Sequence, residues 1–207
     1  MRNQGLFLLG GINMIQLAFH EWEYDEKIKR LKETIKHIEL ARILACQELE
    51  SLENENLVYH PIEVHSFTSQ VIQICDFEVF QMKIPNPLPM YDEKDQRYLK
   101  QLKDFYVPRI VNSIRNQKTK IRYEKPFVLI HQYFPDLKIR DLDNRSKRFI
   151  FNGLRQGKII IDDSWNKMEY MEMGSLDRDH PRTEIYLCES SNKIDLLKFM
   201  SVQSVSK

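Results

Sequence analysis

Residues 22–53 contain neither glycine nor proline, and apolar residues recur through them at positions 28, 31, 35, 38, 45, 49 and 52. Read as a heptad, Ile28, Ile35 and Leu49 take position a, while Leu31, Ile38, Ala45 and Leu52 take position d. Arg42 alone breaks the seam, and Leu40, Ile43 and Leu44 widen the stripe. Period and length agree on one long amphipathic helix. A single helix cannot bury its own stripe. It either packs on its own chain or pairs with another as a coiled coil, and both readings stay open.

The rest of the chain has a different character. Of 207 residues, 42% are hydrophobic and 29% charged, which supports a packed core and excludes wholesale disorder. The net charge of +1 excludes a uniformly basic nucleic-acid coat protein. It hides an uneven distribution. Residues 1–60 carry seven Lys/Arg against ten Asp/Glu, residues 100–126 eight against two, and residues 138–158 seven against two. A polyanion would find its positive charge in the second half.

Three cysteines, Cys46, Cys75 and Cys188, are far apart and odd in number. That fits neither a disulfide framework nor a CxxC zinc site, and a reduced, cytoplasmic setting is expected. The apolar run at 6–19 is interrupted by Asn13 and Gln16 and is too short to cross a bilayer. No A-x-A cleavage pattern follows it, and Met14 is a second candidate start.

An α+β fold is expected: a small mixed sheet of about four strands packed with helices, preceded by a helical extension. The division is 1–76 for the N-terminal extension, 77–190 for the main domain and 191–207 for a tail. Strands are expected at 77–84, 127–134, 165–173 and 183–188, the last two as a hairpin. Pro85, Pro87 and Pro89 must leave the sheet, since proline donates no ladder bond. Helices are expected at 92–114, with Pro108 inside, and at 141–156, stopped by Gly157.

The segment 138–163, KIRDLDNRSKRFIFNGLRQGKIIIDD, carries the chemistry. Asp141 and Asp143, two apart on a turning backbone, can point to one side. Asp162 and Asp163 can face them from a returning strand. Few carboxylates, several waters and substrate phosphate oxygens make a site for Mg²⁺, and ions so held can orient water in phosphodiester cleavage. Lys147, four residues after Asp143 and one helical turn on, could hold the phosphate. Arg140, Arg145, Arg148 and Arg155 surround the acids, and Lys100, Lys103, Arg115, Lys118 and Lys120 lie on a basic helix and loop. Each part also has a plain structural use. Asp143 or Asn144 could cap a helix, the Asp pair could be a turn, and Lys147 could be solvated. An EF-hand is excluded, because Ser146 and Asn152 stand where that loop needs Gly and Glu.

Taken together, Pro135-Asp136, the basic run 138–140, Asp141-Leu142-Asp143-Asn144, Lys147, Gly153-Leu154, Gly157 and Asp162-Asp163 resemble the RusA-type endodeoxyribonucleases, the Holliday junction resolvases. Ile84–Pro89 is similar to the Pro-rich turn after that family's first strand, and coverage is about residues 77–190. The resemblance implies Mg²⁺ bound by Asp141, Asp143 and Asp163, with Asp162 beside them, and catalysis assisted by Lys147. It implies a homodimer on branched DNA, making paired nicks in a four-way junction. Arg140, Arg145, Arg148, Arg155, Lys118 and Lys120 are the expected phosphate contacts. Residues 1–76 have no counterpart in the minimal family fold. Residues 22–53 could recruit an unidentified protein partner. The alternative is a junction-binding or assembly protein without catalysis, acting through its N-terminal helix.

Overall fold

The structure is a computed structural model that describes residues 7–54, 66–117, 121–137 and 141–205, with side chains for 22–48, 66–117, 121–137 and 141–201. Two compact units divide the chain, Met1–Ala45 and Cys46–Lys207. Nearly all of the first is one helix, α1, which runs on to span Phe7–Asn54. Ion pairs at i,i+3 spacing run along it, Glu33 to Lys36 at 2.8 Å and Glu39 to Arg42 at 2.7 Å, on a stretch where Lys36, Ile43 and Cys46 are buried. Each such pair adds about 0.2–0.5 kcal/mol to a helix. No described helix is long and apolar enough to cross a membrane.

The second unit has the α+β architecture read from the sequence. After α1 come β1 (Thr68–Ile74), β2 (Phe77–Pro85), α2 (Gln96–Arg115), β3 (Pro126–Phe134), α3 (Arg148–Gln156), β4 (Glu169–Leu176), β5 (Arg182–Glu189) and α4 (Lys193–Val205). The strand order is β1-β2-β5-β3-β4. All neighbours are antiparallel except β3 and β4, which run parallel. Among the described residues the sheet thus has five strands, where about four were expected. The fifth, β1, pairs with β2 through the two-residue turn Cys75-Asp76, and Cys75 takes a left-handed φ of 50° there.

Two expectations need correction. The strands at 165–173 and 183–188 do not form a hairpin. β4 begins at Glu169 and joins β3, while β5 inserts between β2 and β3. The reason lies in β5: Thr183 through Cys188 are all buried, and a strand buried on both faces needs a neighbour on each side. β4 is only half-covered along its length and takes the edge. The helix expected at 141–156 forms only from Arg148; the acidic residues before it lie in turns. The stretch expected as a tail, 191–207, holds a helix, α4, over Lys193–Val205.

Helix α2 buries Tyr98, Leu99, Leu102, Phe105, Tyr106 and Ile110, and tolerates Pro108 in its interior. It packs on α3 at close range. A Cβ on Gly153 would lie 2.5 Å from Cγ2 and 2.7 Å from Cβ of Ile110, so only glycine lets the two backbones approach this way. Helix α3 ends at Gly157, but the left-handed residue is Lys158, with φ of 63°. The Lys158 amide donates to the Arg155 carbonyl and the Ile159 amide to the Leu154 carbonyl, which is a Schellman ending. On the other sheet face, α4 lays Leu196 and Met200 on Ile74, Val79, Leu129, Tyr186 and Cys188.

Candidate active site

Parallel β3 and β4 require a crossover, and α3 supplies it. The acidic turn 141–147 is therefore the connection leaving the C-terminal end of β3. It is cradled by the proline segment that follows β2. The Tyr91 amide donates to the Asn144 carbonyl at 2.8 Å and the Ser146 amide to the Pro89 carbonyl at 2.9 Å. Arg145 donates to the Leu88 carbonyl at 2.9 Å, while the Leu88 amide is held by the Gln132 side chain on β3. Pro85, expected to leave the sheet, instead closes β2 opposite Arg182 at a position that needs no amide donor; Pro87 and Pro89 lie beyond the strand, and the stretch turns its carbonyls to the acidic turn.

Asp141 and Asp143 are both exposed on that turn. Asn144 donates to the Asp141 carboxylate at 3.4 Å. Leu142 between them points inward toward Gly174 on β4, where an added Cβ would lie 3.8 Å from its Cδ2. The turn is thus anchored by its apolar residue and presents its two acids to solvent.

Lys147 is not one helical turn beyond Asp143, as its spacing suggests. It stands at the cap position of α3. Its ammonium lies 2.6 Å from Glu172 Oε2 and 5.9 Å from the Tyr170 ring centroid. Both partners come from one face of β4, the face on which Phe151 also packs against Tyr170. Register explains the setting: Glu172 is level with Ile130, and Ile130 with Ile185 and Met82 beyond it, so Glu172 leaves a buried apolar row. Its second oxygen, Oε1, is buried without a hydrogen-bond partner. Sequence reasoning missed Glu172. The available signal was a carboxylate in the middle of an apolar strand.

Asp162 and Asp163 lie after α3 and are engaged by Arg155, at 3.8 Å and 3.3 Å. A hydrogen bond from Ser164, ahead of smaller local contributions, holds the Asp162 carboxyl below its ordinary value. Among the described residues no three His, Cys, Asp or Glu side chains are gathered closely enough to hold a metal ion. Asp141 and Asp143 stay together on their turn, and the Asp162-Asp163 pair stays with Arg155. The donor chemistry still suits Mg²⁺. It takes one or two carboxylates and completes its shell with water and substrate phosphate, a set that Asp141 and Asp143 alone could begin.

Of the expected phosphate contacts, Arg148 is exposed and 3.5 Å from the Tyr91 hydroxyl. Arg145 is tied to Leu88 and also lies over the Phe134 ring at 5.6 Å. Arg155 is tied to the acid pair. Arg140, Lys118 and Lys120 lie outside the described residues. Trp165, two residues beyond Asp163, is 91% exposed and escaped notice in the sequence.

A second polar group, also unanticipated, crosses the opposite face of the sheet. Lys83, Glu184 and His131 are level on β2, β5 and β3. Glu184 accepts from Arg182 at 2.6 Å and from the Tyr186 hydroxyl. Arg182 reaches Asp177 at 2.5 Å and lies 3.7 Å above the Tyr133 ring. His131 stacks on Tyr133 and meets Ser175 at 2.7 Å. Burial lowers the His131 value, with Glu184 opposing. Burial pushes Glu184 upward, but the bonds from Tyr186 and Arg182 outweigh it, and its carboxyl is held below the ordinary value. This network is satisfied within itself except at His131 Nδ1. We read it as the polar counterpart of the α4 core.

Compared with known families and with curated proteins, the chain matches none.

Proposed function

We propose that this protein is a Mg²⁺-dependent, structure-selective DNA endonuclease that resolves four-way junctions by paired phosphodiester cleavage as a homodimer. The observation that carries the reading is Lys147. A lysine tucked beside an apolar row and clamped to a carboxylate is an expensive way to build a helix start, since both charges lose water. The same lysine directly follows an exposed D-L-D-N turn at the C-terminal end of a parallel strand, where crossover connections place functional groups. Glu172 fixes the ammonium, so it needs no reorganisation to meet a phosphate oxygen.

Asp141 and Asp143 would hold the cation. Bound there, Mg²⁺ would supply a Lewis acid for the phosphoryl oxygen and lower the cost of forming hydroxide. Arg148 would meet flanking phosphates, and exposed Trp165 offers a flat apolar face to an unstacked base at a branch point. Asp163 could join the acids only if Arg155 exchanged its carboxylate for a phosphate, an exchange that bound DNA would favour.

The test is incubation with a synthetic four-way junction, with and without Mg²⁺, read on a denaturing gel. Asp143→Asn should abolish nicking and leave junction binding largely intact. A second reading is favoured by the acids standing in two separate groups: a junction-binding protein without catalysis. Tight binding with no cutting in Mg²⁺ or Mn²⁺ would establish that one instead.

A further inference from the structure

Along the described part of α1 the large apolar residues of the heptad stripe are exposed at four positions, while Ile28 and Arg42 in the same seam are half-buried. Leu31, Ile35 and Ile38 are 55%, 48% and 64% exposed, and Tyr24, one heptad before Leu31, is exposed as well. Four large apolar groups in register along one line of a helix call for a partner with the same periodicity. The flanking charges identify it. In the register already given, Lys27, Thr34, Ala41 and Glu48 occupy position g, and Lys32, Glu39 and Cys46 occupy position e. Lys27, Lys32 and Glu48 are exposed.

In a parallel in-register pair, g faces the e position five residues further along the partner. Lys27 would then face Lys32 of the second copy, a like-charge contact, and among the described residues the other g–e pairs, Thr34 with Glu39 and Ala41 with Cys46, offer no attraction to offset it. In an antiparallel pair, g faces g and e faces e. With the two-fold axis between residues 36 and 37, Lys27 faces Glu48 of the second copy and Lys32 faces Glu39. Ile35 meets Ile38, Ile28 meets Ala45, and Leu31 meets the stem of Arg42. Arg42 keeps its guanidinium on Glu39 of its own helix, at 2.7 Å and 3.1 Å, and can lay its methylenes along the seam. Sliding by one heptad either way fails. One direction sets Lys32 against Lys32 and Asp25 against Glu39; the other sets Glu39 against Glu39.

We propose that α1 pairs with α1 of a second copy as an antiparallel coiled coil centred between Lys36 and His37. The occupant of the apolar stripe is therefore this same chain. The assignment does not depend on the nuclease reading, and it gives the N-terminal unit the task of bringing two copies together.

The experiment is sedimentation equilibrium on the full chain and on surface variants. The wild type should be a dimer at micromolar concentration. Ile35→Asp, at an exposed position, should give monomers of unchanged helicity by circular dichroism. Lys27→Glu is the discriminating variant, because the two orientations demand opposite results. Antiparallel pairing turns two attractive contacts per dimer into repulsive ones and weakens the dimer roughly tenfold. Parallel pairing turns Lys27–Lys32 repulsion into attraction and tightens it. Lys27→Glu combined with Glu48→Lys should restore wild-type affinity. A monomeric wild type, a dimer indifferent to Ile35→Asp, or a Lys27→Glu dimer as tight as the wild type or tighter would each overturn the assignment.

Discussion

Replacing Gly153 by alanine pits two opposing effects against each other at one atom. Alanine is the better helix former, by about 1 kcal/mol over glycine inside a helix. If α3 lay at an ordinary distance from α2, Gly153→Ala would therefore stabilise the protein. Here the new methyl would sit 2.5 Å from Ile110 Cγ2, 2.7 Å from its Cβ and 3.0 Å from its Cδ1. Only Cδ1 is the flexible end of that side chain. Cβ is fixed to the α2 backbone, and a β-branched residue in a helix has essentially one χ1 to choose from. The helices must separate, and overpacking of this kind costs about 1–3 kcal/mol. The net expectation is a loss of about 1 kcal/mol, which for a unit of this size lowers Tm by roughly 2–4 °C. Gly157→Ala is the control. Its methyl would meet Cδ1 of Ile114 at 2.5 Å, a terminal atom that can rotate away, and the Gly153 carbonyl oxygen at 3.1 Å, so that variant should cost less than Gly153→Ala. Urea unfolding of wild type and both variants measures the difference. A further check is coupling: Ile110→Ala should cost less in the Gly153→Ala background than alone, because the added methyl fills part of the cavity. If Gly153→Ala proved more stable than wild type, the close α2–α3 approach would be wrong, and with it the placement of Lys147 at the head of α3.

Other consequences follow from single residues. Lys158→Gly should stabilise the fold by about 1 kcal/mol in the same urea assay, since the Schellman position now holds a residue that pays for a left-handed φ; a destabilised variant would refute that. Lys147→Ala should cost about 1–3 kcal/mol by leaving the Glu172 carboxylate buried without its cation, and Lys147→Met with Glu172→Leu should recover most of it. Stability should fall on the acid side in two stages. His131 is held below its ordinary value near 6.5, so the unfolded chain takes up protons first and stability drops as pH falls through that value; Glu184, held below the ordinary carboxylate value, loses its contribution lower still. His131→Gln should flatten the first stage and leave the second, as read from unfolding midpoints between pH 4 and 8. Cys75 is exposed while Cys188 is buried and pushed up to about 12, so native thiol titration should show fast reaction that Cys75→Ser removes.

How legible was this in the sequence? The long helix was, because an unbroken heptad pattern admits little else. The strands at 77–84 and 127–134 were legible from their alternation and apolar density. The hairpin β1–β2 was not, because its turn is Cys75-Asp76 and lacks the Gly or Asn that usually carries a positive φ. The false hairpin of β4 and β5 came from reading 174–182 as a polar connecting loop, whereas β4 runs on to Leu176. The burial demanded by Ile185, Leu187 and Cys188 on both faces of β5 was the better guide to its central place. In the site, residue types and order were readable, but Lys147 was put on a helix that starts one residue later. Its partner Glu172 could be found only once β4 was set beside β3, since nothing local links positions 147 and 172.

The central claim is chemical and has a direct measurement. Wild-type protein and Asp143→Asn, each with Mg²⁺ and a labelled four-way junction, are compared on a denaturing gel. The account predicts symmetric nicks in two strands of like polarity from the wild type, lost on chelation and absent from the variant, with both proteins shifting the junction equally on a native gel. Identical product patterns from the two proteins, or an intact junction under every divalent ion tried, would contradict it.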